Sequence, residues 1–137
     1  MRALLVLAGL VAAAPVTADV PMWFRTPSDN IHCLIYNSGG PLVLDCELRE
    51  RNAGPPLLPR PADCDLDWGN RFALSESGGG YMVCHGDTVV QPGSMVLPYG
   101  TRTQFGPFAC DSTREGLECR NEEGHGIVLS RAVQRVF

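Results

Sequence analysis

The sequence predicts an all-β domain, a small antiparallel sandwich or partly open barrel of hairpins, held by three disulfides. Three observations predict it. Apolar runs with two-residue alternation recur every eight to twelve residues, each ended by a turn rich in Gly, Pro, Asn or Ser. No long stretch keeps a helical period. Six cysteines, Cys33, Cys46, Cys64, Cys84, Cys110 and Cys119, follow what reads as an export leader.

The leader comes first. Met1 and Arg2 make a short positive start, residues 3–14 are all Ala, Leu, Val or Gly, and Val16-Thr17-Ala18 offers a small-residue cleavage site. Residues 1–18 therefore read as a signal peptide cut after Ala18, leaving one disulfide-linked β domain over residues 19–137. Pro15 disfavours a cut after Ala14. The apolar run is about a dozen residues against the roughly 20 that span a bilayer, so no membrane span is expected. An even cysteine count behind such a leader implies an oxidising compartment, periplasmic or extracellular. The formal charge is −4, and every basic side chain is Arg. An acidic, lysine-free chain has no electrostatic attraction for nucleic acid or anionic membrane.

Residues 19–27 form an extended lead-in, where Met22, Trp23 and Phe24 are apolar and Pro21 and Pro27 exclude a helix. Residues 31–36 alternate as a strand, with His32 and Leu34 on one face and Cys33 and Ile35 on the other. A Gly-rich turn at 37–41 leads to a returning strand at 42–48 that carries Cys46. Residues 52–62 hold four prolines and cannot donate a full hydrogen-bond ladder, so they predict a stiff extended connector. Strand character resumes over 64–74, with Cys64, Leu66 and Trp68 on one face and Asp63, Asp65 and Asp67 on the other. After a turn at 75–80, residues 81–84 return, His85-Gly86-Asp87 breaks the strand, and 88–90 continue it briefly. Residues 95–97 lead through the Leu97-Pro98-Tyr99-Gly100 corner into an extended run at 101–109. Residues 108–131 read as strand, turn, strand, turn, strand. The last residues, 130–137, suit a helical turn and a strand equally.

Three cysteine pairs each bracket a Gly-containing stretch that reads as a hairpin, and cross-strand neighbours meet the separation a disulfide needs. Of the 15 connectivities six cysteines allow, the expected one joins Cys33 to Cys46, Cys64 to Cys84 and Cys110 to Cys119. Residues 30–47 and 105–120 repeat one order of features, as two similar hairpins would.

Chemistry-bearing residues are few. With no Cys-x-x-Cys pair, zinc is not expected, and neither is any cofactor. Asp63, Asp65 and Asp67 begin like a calcium loop, but Trp68 stands where the turn Gly belongs and Leu74 where the bidentate Glu belongs. His32, His85 and His125 are the only histidines. His85 beside Asp87, or His125 between two glycines, has the residue types of acid–base chemistry. Ser94, Ser112 and Ser130 lack a Gly-x-Ser-x-Gly elbow. The structural reading is that these rings hydrogen-bond turn carbonyls and Asp87 caps its own turn. Among the aromatics, Trp23 and Tyr99 are the two expected at the surface. The candidate binding residues are thus Trp23, Tyr99, His85, Asp87 and His125, with none assigned as catalytic.

An ordered set of motifs runs through the chain: Phe24-Arg25-Thr26-Pro27-Ser28-Asp29-Asn30-Ile31-His32-Cys33, Asp45-Cys46, Cys64-Asp65-Leu66-Asp67-Trp68-Gly69, Cys84-His85-Gly86-Asp87-Thr88, Leu97-Pro98-Tyr99-Gly100, Gly116-Leu117-Glu118-Cys119, Gly124-His125-Gly126 and Leu129-Ser130-Arg131. In these the chain resembles a family of small secreted bacterial disulfide-containing domains of unknown function. It departs from the pattern at Asp29, where Gly is expected, and at Ile127, where Phe is expected. The resemblance implies no catalytic residues. The expected function is a non-catalytic, monomeric interaction module, periplasmic or secreted, that binds a protein or envelope component through loops at one end of the sheet. Inhibition of a hydrolase is one form of this. The rival is a small hydrolase using His85 with Asp87, or His125.

Overall fold

Eleven strands in two sheets make up the computed structural model, which describes residues 20–137. The leader expected at residues 1–18 lies outside the described residues. The strands are β1 (Met22–Arg25), β2 (Ile31–Tyr36), β3 (Val43–Leu48), β4 (Arg71–Ser75), β5 (Tyr81–Met82), β6 (Met95–Val96), β7 (Thr101–Phe105), β8 (Phe108–Thr113), β9 (Gly116–Arg120), β10 (Gly126–Leu129) and β11 (Gln134–Val136). One sheet has the order β5-β4-β3-β2-β1-β6 and the other β11-β10-β9-β8-β7. Neither closes on itself, so the fold is an all-β sandwich. No described residue is helical.

Alternation explains the core. Phe24, Cys33, Cys46, Phe72 and Met82 form one row across five strands of the first sheet. All of them point inward, with Ile35, Leu44 and Leu74 in the next row. The second sheet answers with Phe105, Phe108, Cys110, Leu117, Cys119, Ile127 and Leu129. Phe24 stacks on Phe105 between the sheets, ring centroids 4.7 Å apart. Burying such side chains contributes roughly 1.5–3 kcal/mol each.

The cysteines pair as Cys33–Cys46, Cys64–Cys84 and Cys110–Cys119. The first and third join residues directly opposite in an antiparallel ladder, with Cα atoms 4.1 Å apart in each. The two hairpins that look alike in sequence are thus alike in register and in their buried clip. The Cys64–Cys84 bond instead ties the proline-rich connector to the chain leaving β5. Trp68 donates its indole N–H to the Leu58 carbonyl at 2.9 Å, folding that connector back on itself.

Four expectations need correction. Residues 64–70 are not a strand: they hold one isolated bridge, Asp67 to His85, and Leu66 is exposed. The Asp-Cys-Asp-Leu-Asp-Trp alternation mimics a strand, but the disulfide and a tight loop spend Cys64 elsewhere. Residues 88–90 continue no strand. The run at 101–109 breaks at Gly106, φ 56°, into β7 and β8. The short β6 pairs with β1 in parallel, where only antiparallel neighbours were expected. Of the two forms that suited the last residues equally, 134–136 take the strand.

That parallel pairing forces a crossover. The chain leaves β5 at one edge and must reach β6 at the other, so residues 83–94 pass over the outer face of the sheet. One row of side chains, Arg25, His32, Glu47 and Arg71, lies beneath. Each grips the strap. Arg71 Nη1 donates to the Asp87 carboxylate at 2.7 Å. Glu47 Oε2 accepts from Thr88 Oγ1 at 2.9 Å and Val89 N–H at 3.0 Å. His32 Nδ1 accepts from Gln91 N–H at 3.3 Å, and Arg25 Nε donates to the Ser94 carbonyl at 3.3 Å. This explains polar residues buried on an outer face.

One turn depends on its glycine. Gly116 opens β9 at φ 143°, and a Cβ there would collide with the Leu129 carbonyl. Gly124 at φ 82° has nothing within 4 Å of that position. Gly116→Ala is expected to lower stability by about 2–4 kcal/mol, and Gly124→Ala by only about 1 kcal/mol. Urea unfolding midpoints compare the two; equal losses contradict the backbone collision.

Candidate functional site

Four turns meet at one end of the sandwich. The 26–30 turn joins β1 to β2, the 98–100 corner precedes β7, the 113–116 turn joins β8 to β9, and residues 130–132 follow β10. They enclose an open cleft of about 300 Å³. Its wall includes Ser28, Asn30, Tyr99, Arg114, Gly116 and Arg131. The size is at the lower end for small-ligand pockets, roughly 300–1,000 Å³.

Each wall is stiffened locally. The 26–30 turn closes by the Asp29 N–H donating to the Thr26 carbonyl at 3.0 Å, and the Ile31 N–H donates to Thr26 Oγ1 at 3.3 Å. Asn30 uses both ends of its amide on Glu50, giving to its carbonyl at 3.0 Å and accepting from its N–H at 2.9 Å. Thr101 Oγ1 donates to the Pro98 carbonyl at 2.6 Å, bracing the Tyr99 corner. Ser130 Oγ and Val133 exchange hydrogen bonds across the last turn. Arg131 pairs with Glu50 at 2.7 Å. Arg114 lies over the Tyr99 ring, 5.1 Å from its centroid, and makes no ion pair among the described residues. A guanidinium on an aromatic face, rimmed by hydroxyls and amides, offers flat apolar contact and directed donors together.

The sequence-predicted residues do not assemble into one site. Tyr99 alone lines the cleft. Trp23 is half-buried on the outer face of the first sheet, in one row with Leu34, Asp45, Ala73 and Tyr81. His125 lies at the opposite end, in the β9–β10 turn that Asn121 organises. Its ring is 3.9 Å from Glu123 and about half exposed. His85 and Asp87 are neighbours in the strap, but their side chains do not bond each other. His85 Nδ1 meets the Asp87 main-chain carbonyl at 2.8 Å, and Nε2 meets Asn70 Oδ1 at 2.9 Å. The Asp87 carboxylate turns instead to Arg71. Both nitrogens of the buried His85 ring are engaged within the protein. His32 is buried and likewise engaged at both nitrogens, by Gln91 and Asp29. Among the described residues no group of three His, Cys, Asp or Glu is placed to hold a metal ion.

Sequence reasoning missed the main electrostatic feature of the outer face. Arg71 makes a bidentate pair with Asp45, 2.8 Å on each arm, with both groups buried. Burial pulls the Arg71 value down, but its bonds to Asp45 and Asp87 outweigh that and raise it. It stays charged. The hydrogen bond from Arg71 holds the Asp87 carboxyl below its ordinary value. Burial, then the Asp45 charge, pushes the Tyr36 hydroxyl up. The alternating polar residues at 45, 47 and 71 were the available signal, but they read equally as a solvated strand face.

A family model described as a family of unknown function matches residues 3–137. No curated protein and no solved structure matches the chain.

Proposed function

We propose, from the premise that the chain belongs to DUF6636, a family of unknown function, that it is a non-catalytic binding module. It works outside the cytoplasm, freed of its first 18 residues, and holds a segment of a protein or envelope polymer in the cleft at the loop end. One observation carries the reading. Stretches from four of the motifs quoted above, at 26–31, 99, 116 and 130–131, converge on the cleft wall, whereas two of the three histidines are locked into internal bonds. Three disulfides support an oxidising extracellular or periplasmic setting. Blocking a hydrolase is the protein-binding form of this role. Co-sedimentation of the oxidised domain with purified cell-wall sacculi, and pull-down of envelope proteins, test it. Tyr99→Ala and Arg114→Ala are expected to weaken capture at least tenfold, about 1.4 kcal/mol, with melting temperature unchanged, while His125→Ala at the far end captures normally. Equal capture by the Tyr99 variant overturns the cleft reading. Turnover of an ester, peptide or glycan substrate that His125→Ala abolishes overturns the non-catalytic one.

A further inference from the structure

A second surface, separate from the cleft, carries more charge. On the strap side of the 26–30 turn, a depression of about 210 Å³ is lined by Arg25, Asp29, His32, Arg49, Val90, Pro92 and Gly93. We propose that it is an oxyanion-binding site, built for a carboxylate, phosphate or sulfate group, and that Asp29 holds it shut as a tethered anion.

Three donors converge on the Asp29 carboxylate. Arg25 Nη1 is 3.3 Å and His32 Nε2 3.0 Å from Oδ1, and Arg49 Nη1 is 2.6 Å from Oδ2. The donors are aimed by bonds that do not involve the anion. Gln91 N–H occupies His32 Nδ1, which leaves the ring proton on Nε2, facing the Asp29 carboxylate at 3.0 Å and its main-chain carbonyl at 3.3 Å. Ser94 takes Arg25 Nε, which leaves its Nη groups for the site. The strap thus pre-orients both. Two guanidiniums face one carboxylate, a surplus of positive charge on a chain of net charge −4. Such guanidinium forks match the geometry of planar and tetrahedral oxyanions.

The backbone supports the same reading. Asp29 is the one described non-glycine residue at positive φ, 60°. A residue with a Cβ is disfavoured in that region, where glycine sits freely. The Asp29 side chain is nevertheless 46% exposed at the lip of the depression, so a competing anion reaches the donors by swinging it aside. This site shares no side chain with the Tyr99 and Arg114 test, so either reading fails without the other.

The test uses the oxidised domain with sodium sulfate, phosphate or acetate, against sodium chloride at matched ionic strength, read by calorimetry and thermal unfolding. Asp29→Gly empties the site and relieves the backbone; Asp29→Asn keeps the side-chain shape without its charge. Both are expected to bind at least one oxyanion at least tenfold more tightly than the unsubstituted protein, and to melt higher in that salt than in chloride. Adding Arg49→Ala to Asp29→Gly removes the gain. Preference for sulfate and phosphate over acetate identifies a tetrahedral ligand, the reverse a carboxylate. Binding no tighter than in the unsubstituted protein, or a gain that survives Arg49→Ala, overturns the proposal. Failure of both Asp29 variants to fold also overturns it, since the carboxylate would then be part of the fold rather than an occupant.

Discussion

Reduction of all three disulfides is expected to unfold the domain at 37 °C. The cross-links close loops of 13, 20 and 9 residues by sequence separation. On the chain-entropy account each contributes about 2.5–3.5 kcal/mol, and together they approach the whole margin of a small domain, on the order of 5–15 kcal/mol. The order of loss is also set. Cys33, Cys46, Cys110 and Cys119 have no exposed surface, whereas Cys84 is open to solvent. Mild reductant should therefore attack Cys64–Cys84 first, releasing the connector while both sheets persist. Circular dichroism during a reductant titration, with mass spectrometry of alkylated intermediates, reads both events. A reduced domain that melts like the oxidised one, or a core disulfide that opens first, contradicts this account.

Asp45→Ala is the most damaging single substitution expected on the outer face. It leaves the Arg71 guanidinium buried with its bidentate partner gone. Asp87 remains in contact, but its side chain is 79% exposed and reaches only one arm. Breaking a buried pair on one side costs about 3–5 kcal/mol, while replacing both partners with apolar groups is often neutral. Asp45→Leu with Arg71→Met should therefore recover at least half the loss in urea unfolding. A single variant as harmful as the double one contradicts the pairing. Asp87 adds an acid limb. Its folded value lies below the ordinary 3.8 because Arg71 bonds the charged form. Its contribution is fully present above that ordinary value and fades as pH falls through the lower folded one. Asp87→Asn should make the loss of stability below pH 4 shallower, read as unfolding midpoints across that range.

These two predictions draw on parts of the chain that differ in legibility. Strand β2 is found where the alternation of residues 31–36 puts it, and two of the three cysteine pairings follow from hairpins closed by short Gly-containing turns, whereas Cys64 and Cys84 stand on no strand. Both are local facts: a two-residue period and a short loop leave few alternatives. Arg71 and Asp45 are 26 residues apart, and nothing near either names the other. The same holds for the cleft. Ser28, Tyr99, Gly116 and Arg131 are ordinary turn residues until four turns arrive at one end of a sandwich.

Local sequence was enough for the class and the two clipped hairpins, because each rests on neighbours along the chain, and the three disulfides support an oxidising setting. The tertiary structure decided which polar residues are buried. A two-residue strand, β6, finds its hydrogen bonds on the far edge beside β1 and draws residues 83–94 across an outer face. Groups that alternation assigns to water must then pair with one another or with the strap, since an unpaired charge removed from solvent costs several kcal/mol.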